Sequence, residues 1–338
     1  MKVIIIGSGI AGITFAEKIR QLSVDAKITL LTKENEGYYS RPMLSLGFSN
    51  EDIEQDIIIK SFGELLNDNI CVISGVEVTS INRREQQVSV KGIDEIETLE
   101  YDILILAMGS AAFVPPPFLP YQENLFLLNS LDDLKILRKF RCEILTKNNQ
   151  PSWAIIGGGL IGCEVASDLV SSGDKVSIFH VMDRLMERQL EEQDSATLFT
   201  VMQSSGIDIR LNQTINGFEK KQDKMLVITD ANRNEYDGII ISCGFKPRIE
   251  LAVDAGLNTG RGIKTDQMLQ TNDENIYALG DIAELPNGKL YAFIKPIRHQ
   301  AIWLASYLCD QEKEPWTPPD FNPSAKVNNF DAAFPYLF

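Results

Sequence analysis

Short apolar runs without alternation stand at Val3–Ile6 and Ala154–Ile156, and each is followed at once by a glycine cluster. A continuous run of that length suits a parallel strand covered on both faces. Residues 2–32 read as β-α-β, with a strand Val3–Ile6, a helix from about Ile10 to Leu22 and a strand Lys27–Thr32. Residues 153–181 read the same way: strand Trp153–Ile156, helix Leu160–Ser171, a turn at Gly173-Asp174 and strand Val176–His180. Alternating runs at Glu77–Asn82 and Gln87–Val90 predict a small hairpin. Further strands are expected at Ile70–Ile73, Ile103–Ala107, Ile207–Leu211, Met225–Thr229, Ile239–Ser242 and Asn275–Leu279, with a helix-like piece at Phe62–Leu66 and a helix at Ile297–Leu308. The prolines after Phe113-Val114 (Pro115, Pro116, Pro117) cannot continue a helix or a central strand, and they mark one domain crossing. Cys243-Gly244-Phe245-Lys246-Pro247 marks a second.

Composition narrows the class without naming it. A chain of 338 residues has room for two or three domains with cores of their own. Its 44% apolar and 23% charged residues are ordinary for a soluble globular protein. The net charge of −15 argues against nucleic acid and against an anionic membrane surface. No run approaches the roughly 20 apolar residues of a membrane span. The first apolar run is too short, and too soon broken by glycine, for a signal peptide. Five cysteines (71, 142, 163, 243 and 309) make an odd count with no C-x-x-C spacing, so neither a disulfide framework nor a metal site is expected. A reducing cytoplasm fits this usage. His180 and His299 are the only histidines, which gives metal catalysis no support.

The glycine clusters carry the chemistry. They are Gly7-Ser8-Gly9-Ile10-Ala11-Gly12 and Gly157-Gly158-Gly159-Leu160-Ile161-Gly162. In a β-α-β turn of this kind the first Gly allows the tight turn, the second lets backbone approach a pyrophosphate, and the third lets helix pack on strand. The free amides and partial positive charge of the helix start then face the anion. The plain alternative is a glycine-rich turn without a ligand. Two such loops suggest two dinucleotides on one polypeptide. An acidic residue is expected roughly 20 residues on, at the end of the second strand, to hold the ribose. The first unit has Thr32 there, then Lys33 and Glu34; the second has His180. Neither is the expected acid, and the second unit also lacks an Arg pair for a 2′-phosphate. NADH is favoured over NADPH on that ground.

Taken in order, the motifs resemble the FAD-dependent pyridine nucleotide-disulfide oxidoreductase superfamily. They are the first glycine loop, Tyr101-Asp102 leading to Ala107-Met108-Gly109, the second loop with Cys163-Glu164, Cys243–Pro247, and Asn275–Leu279 ending at Gly280-Asp281. Tyr39-Ser40-Arg41-Pro42-Met43-Leu44-Ser45 with Gly47-Phe48 resembles its rubredoxin reductase branch, relatives of the ferredoxin reductases. The resemblance runs from residue 1 to about 310.

That resemblance implies a three-layer α/β flavoprotein of two Rossmann-like domains. The FAD domain is expected in two parts, 1–112 and 244–320, with an NAD(P) domain inserted at 113–243. A short tail, 321–338, stands where relatives carry a further domain, which makes a monomer or weak dimer the expectation. FAD is implied on Gly7, Gly9, Ile10, Ala11 and Gly12, with Thr32, Lys33 and Glu34 near its ribose and Val78 near its adenine. Arg41, Pro42, Ala107, Met108, Gly109, Gly280 and Asp281 complete that site, and Lys295-Pro296-Ile297 bring a helix start to the flavin ring. NADH is implied on Gly157, Gly159, Leu160, Ile161 and Gly162, beside His180, Cys243 and Gly244, with Glu164 near the nicotinamide. Arg41 fills the slot where relatives place a redox cysteine, and it is expected to pair with Glu164, so that these two are the candidate catalytic residues. Cys163 and Cys243 are expected to be structural, and the charge run Glu187–Asp194 a solvated helix face.

The implied reaction passes electrons from NADH through FAD to an outside one-electron carrier, a rubredoxin- or ferredoxin-type protein that Lys295 and Arg298 would help dock. An NADH oxidase, a reductase of small quinones or dyes, and a redox-sensing FAD/NAD protein without turnover are the alternatives.

Overall fold

The computed structural model describes residues 1–92 and 96–337. The chain divides into two compact units. The first takes residues 1–40, 58–111 and 247–321, and the second takes 41–57, 112–246 and 322–338.

In the first unit, parallel strands lie in the order Ile276–Ala278, Ile103–Leu106, Lys2–Ile6, Lys27–Leu31, Cys71–Ile73. Side chains of a strand alternate between faces, and the central strand shows why all of its inner residues are apolar. Val3 and Ile5 join a core with Ile13, Phe15 and Ile19 of helix Ile10–Leu22 and with Ala301 and Leu304 of helix Ile294–Tyr307. Ile4 and Ile6 join a different core, with Ile81 and Val88 from the antiparallel strands Glu77–Asn82 and Gln87–Lys91. Helices, parallel sheet and antiparallel sheet are the three layers. Helix 294–307 starts earlier than its apolar pattern indicates, because Pro296 lies in the first turn, where a missing N–H costs no helical bond.

The second unit repeats the plan. Its parallel sheet runs Asp208–Arg210, Lys175–Phe179, Ser152–Ile156, Gly238–Ile241. Ala154, Ile156, Phe179, Ile239 and Ile241 pack against Phe218, Met225, Val227 and Tyr236 of an antiparallel sheet. On strand 152–156 of the parallel sheet, Trp153 sets its ring 5.8 Å from Phe140 of helix Leu131–Leu145. Its indole donates to Asp174, which Arg141 also grips through two nitrogens, at 2.8 and 2.9 Å.

Candidate functional site

The glycine loops repeat each other in detail. Gly7 and Gly157 have φ of 111° and 114°, and a Cβ on either would overlap the backbone of the neighbouring strand end, at Ala107 and Ser242. At Gly12 a Cβ would overlap the carbonyl of Gly7, and at Gly162 that of Gly157. Gly9 and Gly159 are different: a Cβ there would meet nothing within 4 Å. The fold itself does not demand glycine at those two positions. Open space above them fits the close approach of an outside group.

Helix ends point the same way. Helices at 62–67 and 131–145 begin with complete capping boxes, Ser61 with Glu64 and Ser130 with Asp133. Helices 10–22 and Leu160–Ser171 have Gly9 and Gly159 as N-caps, without a side-chain cap and without an acid in the first turn. Their first-turn amides are left for an anion. Both loops therefore suit a dinucleotide pyrophosphate.

At each strand end a side chain ties back to the loop. In the first unit Thr32 Oγ1 lies 2.7 Å from Ser8 Oγ and also accepts the Glu34 N–H at 3.1 Å. In the second, His180 Nδ1 accepts the Gly158 N–H at 3.0 Å, so its proton sits on Nε2, which donates to Glu187 at 3.1 Å. Glu187 had no motif to mark it.

Around the first loop the structure gathers several expected residues. Gly280, with φ of 76°, lies beside Ala11 and Ile297. Its N–H donates to the buried Gln300 Oε1 at 2.9 Å, a support absent from the sequence expectations. Ser110 Oγ donates to Asp281 at 2.7 Å. Arg248, also unforeseen, donates to the Met108 carbonyl at 3.0 Å, and its own N–H reaches the Gly109 carbonyl. Pro296 and Ile297 are buried while Lys295 is exposed. Lys33 forms an exposed ion pair with Glu77, next to Val78, and adds little to a site.

The second loop's helix carries what the sequence did not announce. Glu164 is 1% exposed, and its oxygens accept from Ser45 Oγ (2.6 Å), the Lys326 N–H (2.9 Å) and Lys326 Nζ (2.7 Å to each oxygen). The expected partner, Arg41, donates instead to the Asn129 carbonyl. Arg41 and Pro42, expected within the FAD part at 1–112, belong to the second unit. One turn after Glu164, Asp168 accepts the N–H groups of Phe48 (2.7 Å) and Ser49 (3.2 Å) together with the Ser49 hydroxyl. Asn328 donates to Ser167 and Ser171. Helix 160–171 thus anchors both segment 41–57 and tail 322–337.

The charge run at 187–194 is solvated at Arg188 and at Glu191, Glu192 and Gln193, but not at its end. Asp194 is 2% exposed and accepts the Ala333 and Phe334 N–H groups, each at 2.9 Å. The tail is thereby fastened a second time; Phe338 lies outside the described residues.

All five thiols are free. Burial, reinforced by the carboxylates of Glu164 and Glu187, pushes the Cys163 thiol far above its usual range. Burial pushes Cys243 up to about 11, and its Sγ donates to the Ile156 carbonyl. His299, in the second turn of its helix, accepts from the Trp316 indole at 2.9 Å. Among the described residues no helix is long and apolar enough to cross a membrane, and no group of three His, Cys, Asp or Glu could hold a metal ion.

Comparison with known proteins agrees with this geometry. The chain is 33% identical over 315 residues to rubredoxin-NAD(+) reductase of Alcanivorax borkumensis, a match covering 92% of this chain and 80% of that protein. It is 31% identical over 320 residues to nitric oxide reductase FlRd-NAD(+) reductase of Vibrio vulnificus, covering 94% and 81%. The crystal structure of NADH:rubredoxin oxidoreductase from Clostridium acetobutylicum superposes with a TM-score of 0.77 at 28% identity, covering 97% and 80%. Residues 1–301 match the family model of the pyridine nucleotide-disulphide oxidoreductases, and the chain belongs to that family.

Proposed function

We propose that this protein is an NADH-dependent flavoprotein reductase that delivers electrons, through FAD, to a small one-electron carrier protein of the rubredoxin or ferredoxin type. The observation that carries the reading is the pair of uncapped glycine-loop helices, one in each unit, each with an open glycine at its N-cap.

The first-unit loop holds FAD, with the amides of Ile10, Ala11 and Gly12 on the pyrophosphate and Glu34 beside the ribose. Asp281, oriented by Ser110, accepts from ligand hydroxyls, and Gln300 holds Gly280 in place. The start of helix 294–307, with Lys295, stabilises negative charge. FAD supplies the redox chemistry, taking a hydride and releasing single electrons. The second-unit loop holds NADH through the amides that follow Gly159. Glu164 acts as a positioning group: its carboxylate is engaged by Ser45 and Lys326, so it shapes the pocket by holding segment 41–46 against its helix. Neutral Cys163 and Cys243 supply no thiolate at physiological pH, which supports an outside acceptor over a thiol relay.

Anaerobic stopped-flow of the yellow protein tests this. NADH is expected to bleach the flavin quickly, and added rubredoxin to restore it quickly. Bleaching with reoxidation by oxygen or ferricyanide only would discard the carrier protein. No bleaching by either nucleotide would discard the reading.

A further inference from the structure

We propose that Glu187 reads the ribose hydroxyls of the nicotinamide dinucleotide and sets the preference for NADH over NADPH. The inference rests on reading the second glycine loop as the NADH site. In such folds an acid at the end of the second strand accepts from the 2′-hydroxyl. Here that place belongs to His180, which is committed on both nitrogens: Nδ1 accepts from Gly158, and Nε2 donates to Glu187. No acceptor is left on the ring for a hydroxyl. The imidazole instead passes its position on to a carboxylate.

Glu187 is held beside the loop by more than the histidine. The Met186 N–H donates to the Gly158 carbonyl at 2.9 Å, so the segment carrying Glu187 is bonded to the glycine loop itself. Arg184 donates to the Glu187 carbonyl at 2.9 Å and to the Leu190 carbonyl at 2.7 Å, closing the turn. Glu187 is not a solvated surface acid: its side chain is 17% exposed. The first unit ties its loop in a related way: Thr32 Oγ1 pairs with Ser8 Oγ and accepts the backbone N–H of Glu34, the acid two residues on. In the second unit the acid stands seven residues beyond His180, and a folded turn brings it back onto the His180 ring.

Arg188 sharpens the proposal. Its side chain is 85% exposed and its Nε lies 3.5 Å from Glu187 Oε1. With Glu187 present, Arg188 lies against a carboxylate and a 2′-phosphate meets that carboxylate's charge. With Glu187 removed, Arg188 is released to meet the phosphate. Rejection of NADPH is therefore a repulsion built into the turn, on top of the bond to the hydroxyl.

Glu187→Gln, made in the full-length holoenzyme at matched flavin content, tests this. Dissociation constants for NADH and NADPH come from concentration-dependent anaerobic bleaching. A hydrogen bond to a charged group supports about a tenfold or greater loss of NADH affinity, and the NADPH-to-NADH ratio is expected to rise by more than that. Adding Arg188→Ala should remove the NADPH gain without restoring NADH. Should Glu187→Gln not fold, Glu187→Asp keeps the charge but withdraws it, and it should weaken NADH without improving NADPH. An unchanged ratio in a variant that NADH still bleaches would overturn the assignment alone. Wild-type protein bleached by neither nucleotide would overturn the site reading and this assignment together.

Discussion

Helices 10–22 and 160–171 leave matching glycine loops and then part company. Beyond the first turn, helix 10–22 buries Ile13, Phe15, Ala16 and Ile19 against its sheet and neighbouring helix. Counting from the loops, Cys163 takes the place of Ile13 and is equally buried, but Glu164 and Asp168 stand where the first helix has Thr14 and Lys18. A buried carboxylate is tolerated only when its oxygens are satisfied. Those of Glu164 and Asp168 are satisfied by residues 119–162 positions away in the chain. The glycine loop therefore dictates the start of a helix and little more. The rest of the helix is free to become core in one unit and an anchoring post in the other.

The largest effect that separates the two comes from Lys326→Met. It strips the ammonium from a buried carboxylate and should cost the second unit about 3 kcal/mol. Unfolding followed by hydrogen exchange should show the loss at helix 160–171 and tail 322–337, with helix 10–22 unchanged. Equal loss in both helices would erase the distinction. A smaller effect concerns the thiols. Cys163 and Cys243 are protonated in the fold, and Cys243 has been raised from 9.0 to about 11. A raised thiol favours the fold while it keeps its proton, so this contribution is complete below about pH 9 and fades as pH rises through about 11. Iodoacetamide at pH 8 should modify the exposed Cys71 and Cys142 and spare Cys163 and Cys243. Rapid labelling of Cys243 at pH 8 would contradict the burial argument.

What could be read from the sequence follows from how local each feature is. Both glycine loops are legible because Gly7, Gly12, Gly157 and Gly162 answer to atoms of the same β-α-β unit or of the next strand end. Strands 2–6 and 152–156 are legible because both faces are covered and every inner residue is apolar. Helix 131–145 carries a local sign in the sequence too, the capping box Ser130-x-x-Asp133. Lys326 on Glu164, Ser49 on Asp168 and the tail on Asp194 leave no periodic trace, because each joins polar groups more than 100 residues apart. For the same reason Asp194 looks as solvated as its neighbours 191–193 until the tail is placed on it. Arg41 is not the cation on Glu164: Lys326 of the tail takes that place, from a position that no local motif marks.

The central claim is that the two uncapped helix starts take different dinucleotides. Gly9→Asp and Gly159→Asp test it side by side. Both positions have φ near −75° (−71° and −81°) and open space around the missing side chain, so aspartate fits the fold while setting a carboxylate where a pyrophosphate would lie. The measurement is flavin content together with the rate of anaerobic bleaching by NADH. The account predicts that Gly9→Asp purifies without FAD. It predicts that Gly159→Asp keeps its FAD, is bleached by dithionite and is no longer bleached by NADH. Full flavin in Gly9→Asp, or wild-type bleaching by NADH in Gly159→Asp, would contradict it.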